Sequence, residues 1–72
     1  MTIQDIEVSN NIRKKIVTAL RDDSVLITEE NGDVIVSVEA YNSFAKRIKR
    51  SPLVEILGDD LLDFSVEYFV FK

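Results

Sequence analysis

The chain has 72 residues, no cysteine, no histidine and a net charge of −4. That length allows a single domain, residues 1–72, whose core supplies only on the order of 3–5 kcal/mol. The composition excludes disulfide staples and the usual Cys/His zinc sites, and no apolar run approaches the roughly 20 residues of a membrane span.

The first segment, Thr2 to Val8, carries Ile3, Ile6 and Val8 and reads as a short strand or an extended arm. It lacks the basic-then-apolar pattern of a signal peptide, so the expected location is cytoplasmic. Ser9 is placed to cap a helix. Behind it Ile12, Ile16 and either Ala19 or Leu20 recur at spacings of three and four, one apolar stripe on a helix of about three turns. Arg13, Lys14 and Lys15 fall mostly off the stripe, and Asp22-Asp23-Ser24 ends it.

Residues 25–36 predict a hairpin. Asn31-Gly32 suits a type I′ turn, whose two central residues both need positive φ. A two-residue loop there pairs Glu30 with Asp33, Glu29 with Val34, Thr28 with Ile35 and Ile27 with Val36. Val25, Ile27, Val34 and Val36 then share one face, and a slip of one residue would scatter them. Ser37 caps a second helix with Val38, Tyr41, Phe44, Ala45 and Ile48 inward and Lys46, Arg47, Lys49 and Arg50 near its end, where cations suit the helix dipole. Ser51-Pro52 starts a third, short helix that stops at Gly58. Residues 59–63 form a turn or a further helical turn. From Phe64 to Phe71 apolar residues occupy both alternating sets, which predicts a strand. The expected fold class is therefore α+β, a small antiparallel sheet made of the hairpin 25–36 and a C-terminal strand 64–71, packed with two to three short helices.

The chemistry expected of this composition is binding and not catalysis. Without histidine or cysteine the commonest general bases and nucleophiles are missing. Gly32 and Gly58 are both explained by turns, so there is no glycine-rich phosphate loop. Asp59, Asp60 and Asp63 lack calcium-loop spacing and read as a solvated acidic turn. No cofactor, metal or small-molecule substrate is expected. The charge is uneven: residues 1–23 and 24–50 are each neutral, and the whole −4 lies in 51–72. The two basic runs can therefore still meet phosphate. The C-terminal strand, with four of the six aromatics, is either a central strand buried on both faces or a docking site.

Five short motifs in order resemble the Phd/YefM family of bacterial antitoxins: Leu26-Ile27-Thr28, Asn31-Gly32, an apolar strand, Ser37-Val38-Glu39-Ala40-Tyr41-Asn42-Ser43, and Arg50-Ser51-Pro52. They match the family pattern "LITRNG…V.VS.E.Y.SL…RSP". Upstream, Ser9, Arg13 and Ile16 resemble its "SEAR..L" helix start, with one extra residue after the serine. The likeness covers most of residues 9–52. Several spacings are shorter than usual, and a C-terminal strand replaces the family's flexible or helical arm. The resemblance implies a homodimer that binds operator DNA, represses transcription and wraps a partner toxin. It assigns DNA contact to Arg13, with Lys14 and Lys15 added on charge alone. Partner contact is expected from the acidic, aromatic C-terminal third, at Leu61, Phe64, Tyr68, Phe69 and Phe71. The same acidity suits an alternative, a small phage-type inhibitor that blocks a host enzyme by protein–protein binding.

Overall fold

Three serines place the helices. In the computed structural model, which describes residues 1–72, Ser9 Oγ accepts from Ile12 N at 3.2 Å, Ser37 Oγ from Ala40 N at 3.0 Å and Ser51 Oγ from Val54 N at 3.5 Å. Each satisfies a backbone donor that the first helical turn leaves free, a contribution of about 1 kcal/mol apiece. The helices that follow are α1 (Asn10–Asp22), α2 (Val38–Ile48) and α3 (Pro52–Leu57). Lys49, left-handed at φ 58° and ψ 33°, ends the second, and Gly58, at φ 85° and ψ 152°, ends the third in an extended positive-φ conformation that favours glycine. The stripe on α1 resolves to Ile16, Val17 and Leu20, with Ala19 at its margin.

Four strands, β1 (Ile3–Ile6), β2 (Thr28–Glu30), β3 (Asp33–Ser37) and β4 (Tyr68–Phe71), form one sheet in the order β1-β4-β3-β2. The hairpin has the expected register: Thr28 opposite Ile35, Glu29 opposite Val34, Glu30 opposite Asp33. Asn31 and Gly32 both adopt positive φ, 52° and 84°, as a type I′ turn requires. Val25, Val34 and Val36 are buried and Ile27 packs against them, whereas Leu26 is 90 % exposed.

Two expectations are corrected. The sheet is mixed, not antiparallel, because β1 joins it parallel to β4, with Ile3 opposite Tyr68 and Ile6 opposite Phe71. The last strand is also half its expected length. Residues 64–67 turn because the Asp63 carboxylate accepts the Ser65 N–H and hydroxyl, and Glu67 N donates to both the carbonyl and the hydroxyl of Thr2. Local turn chemistry there outweighs apolar alternation.

β4 is hydrogen-bonded along both edges, antiparallel to β3 and parallel to β1. Phe69 and Phe71 point to the helix side and are 0 % exposed. They share the core with Ile6, Val34, Val36 and residues from all three helices. Ile3, Ile35 and Val70 alternate to the opposite face, outside that core. The Phe69 ring meets Tyr41 edge-on at 5.8 Å. Removing a buried phenyl ring costs about 3–5 kcal/mol, as much as a core this size supplies. Phe69→Ala, or a chain ending at Asp63, is therefore expected to show no cooperative urea transition by circular dichroism. Phe64→Ala, at a residue 38 % exposed, should keep one.

Candidate nucleic-acid interface

The charged side chains sort by whether they have a partner. Arg21 pairs with Glu29 at 2.5 Å, Arg47 with Asp23 at 2.7 Å and Lys72 with Asp5 at 3.4 Å. The other six cations, Arg13, Lys14, Lys15, Lys46, Lys49 and Arg50, have no carboxylate within 4 Å. Arg13 donates instead to the neutral Asn10 Oδ1 at 2.7 Å. All six lie on the helical layer, three on α1 and three in or just after the last turn of α2.

The helix divides the Arg13-Lys14-Lys15 run. Successive residues stand about 100° apart, so three in a row cannot share one direction. Arg13 and Lys14 line a groove of about 420 Å³ between α1 and the hairpin, together with Thr18 and Arg21 from α1 and Glu29 and Gly32 from the hairpin. Val17 and Val34 form its floor. Lys15 lies toward the other flank of α1, where with Arg50 and Glu55 it borders a cleft of about 150 Å³ against α3, and between the two flanks Lys14 and Lys15 share a shallow groove with Thr18, Ala19 and Asp22. The groove thus combines guanidinium, ammonium and hydroxyl donors above an apolar base, a set suited to a phosphate oxygen. Sequence reasoning missed Thr18 and Arg21. Their spacing from Lys14, four and seven residues on, is the signal that would have found them.

The residues expected to meet a protein partner do not stay together. Phe69 and Phe71 are core residues, a correction that follows from β4 lying inside the sheet with its inner face against α2. They present no surface, and the C-terminal third is therefore first a structural element. Phe64 and Tyr68 border a groove of about 560 Å³ whose opposite wall is Glu39, Asn42, Ser43 and Lys46 on α2. Leu61, 64 % exposed, stands apart over a small cleft beside Gln4, Glu7 and Leu57. No group of three carboxylates converges as a metal site would require.

No protein-family model, curated protein or solved structure matches the chain.

The Asp63 carboxylate is held in its charged form by a local turn. The hydroxyl of Ser65, and then its backbone N–H at 2.9 Å, bond the charged form and hold the carboxyl below its usual value. A carboxylate depressed in the fold stabilises it above the unfolded pKa, and that contribution is lost as pH falls through the folded value. In an acid titration followed by carboxyl NMR shifts, Asp63 should protonate below the ordinary aspartate range. Ser65→Ala should move its midpoint upward while leaving the backbone bond.

Proposed function

We propose that this chain is a DNA-binding regulator of the antitoxin type: a non-enzymatic module that holds the phosphate backbone through α1 and engages a protein partner elsewhere on its surface. The observation that carries the reading is the set of six cations without carboxylate partners on the helical layer, two of them in the α1–hairpin groove. Unpaired arginine and lysine keep their full charge for phosphate, whereas a cation already neutralised by a neighbour contributes less to counterion release. The motif order across residues 9–52 supports the antitoxin half of the reading. The partner surface is then Phe64 and Tyr68, exposed and half-exposed along the groove against α2, with the exposed Leu61 as a separate contact. The reading calls for no cofactor, membrane or small-molecule substrate.

A second reading, a small acidic inhibitor of a host enzyme, draws on a different observation. Asp59, Asp60 and Asp63 are all exposed beside the exposed Leu61 and Phe64. Such an acidic and apolar patch suits a basic protein surface.

The two readings separate by salt dependence. Each neutralised phosphate contributes roughly −0.9 to the slope of log affinity against log salt. Replacing both Arg13 and Lys14 with Ala should flatten the slope for a DNA duplex by up to about 1.8, and Lys15→Ala should change it less. A slope that stays put in the double variant would leave the basic run as a solvated helix face.

The DNA-binding reading includes a homodimer, which would present two α1 surfaces to one duplex. Sedimentation velocity at micromolar concentration should show a species of twice the chain mass. A folded monomer that persists on concentration would count against it.

A further inference from the structure

The α1–hairpin groove contains an anion of its own. In the register of β2 and β3, Glu29 stands opposite the buried Val34, so its side chain leaves the hairpin on the helix side. Its neighbours Thr28 and Glu30 leave on the other side. This alternation brings the Glu29 carboxylate to Arg21 on α1, at 2.5 Å, along the same groove that Arg13 and Lys14 line. The pair is well exposed, 57 % for the Arg21 side chain and 55 % for that of Glu29. Exposed pairs of this kind contribute little to stability and exchange partners readily. Nothing in the core depends on it.

We infer that Glu29 is a built-in competitor for the phosphate this groove receives, and that Arg21 is the cation it withholds. The inference rests on the nucleic-acid reading above and deepens it. A phosphate entering between α1 and the hairpin meets Arg13, Lys14 and Thr18 on one wall and Glu29 on the other. To use Arg21 it must take the place of the Glu29 carboxylate. The freed carboxylate then lies beside a second anion, which weakens the complex. Glu29 therefore caps affinity and makes Arg21 a conditional contact, formed only with a ligand whose charge density outcompetes a carboxylate. A phosphodiester backbone, presenting charge after charge along its length, meets that condition better than an isolated carboxylate does.

The test uses the full chain and a short DNA duplex of arbitrary sequence, titrated by fluorescence anisotropy over a range of KCl. Glu29→Gln keeps the side-chain shape and removes the charge. It should bind roughly two- to fivefold more tightly, with a salt slope steeper by up to about 0.9, because Arg21 now neutralises a phosphate. Glu30→Gln is the control, the same change of net charge one residue away on the opposite side of the hairpin. It should leave the slope unchanged and raise affinity less. Adding Arg21→Ala to Glu29→Gln should cancel the gain. If Glu29→Gln matches Glu30→Gln while the Arg13/Lys14 double variant still weakens binding, Glu29 is no competitor and the nucleic-acid reading stands without it. If neither the unaltered chain nor Glu29→Gln binds the duplex, both are overturned.

Discussion

The helix side of the sheet converges on the hydroxyl of Tyr41. The residue is 0 % exposed, so an unbonded hydroxyl there would carry a desolvation penalty of about 1–3 kcal/mol. It bonds Ser51 Oγ at 2.6 Å and accepts the backbone N–H of Leu53 at 3.0 Å. Ser51 also caps α3, so one polar cluster satisfies the side chain of α2 and the start of the next helix together. The ring meets Phe69 from β4 and Phe44 from its own helix. Sheet, second helix and third helix are thus joined through a single side chain. No buried side-chain nitrogen or oxygen in the molecule lacks a hydrogen-bond partner. With so little core, this full polar satisfaction decides whether one packing arrangement prevails over its neighbours.

α1 shows how a short chain combines folding and recognition in one element. Its inner face contributes Ile16, Val17 and Leu20 to the core. The rest of its circumference holds three cations without carboxylate partners, spread over both flanks. The serine cap and the apolar stripe fix the helix, so the outer side chains start from a rigid base. The hairpin beside it is equally constrained by its Asn-Gly turn. A groove lined by a helix and a hydrogen-bonded hairpin has backbone already in regular structure, which reduces the ordering cost of binding.

Local features were legible in the sequence and distant ones were not. The three serine caps, the helix stops and the hairpin register depend on residues within a few positions of one another, and each is found where the spacing placed it. The parallel pairing of Ile3–Ile6 with Tyr68–Phe71 joins opposite ends of the chain, and no local pattern encodes it. Alternation separated Phe69 and Phe71 from Tyr68 and Val70, but both sets are apolar, so it left open which set faces the helices. The turn at 64–67 was hidden for a related reason: Phe64 and Val66 continue the alternation while Asp63 and Ser65 break the backbone out of it. In the candidate site, a run of three basic residues was visible as charge. Its division between two flanks of α1, and the recruitment of Arg21 and Glu29, belong to the helix pitch and to the approach of the hairpin.

The position of β4 also governs the order of events during synthesis. The strand that completes the middle of the sheet is made after every element it joins. While residues 68–71 are still inside the ribosome, β1 has no partner, β3 pairs only with β2, and the core lacks Phe69 and Phe71. α1 and the hairpin can form in the emerging chain, since their contacts are local, but closure waits for the pairing of greatest sequence separation. Folding therefore follows release of residue 71 from the exit tunnel instead of proceeding stepwise with translation. In that interval the apolar face of the hairpin is open to chaperones and proteases.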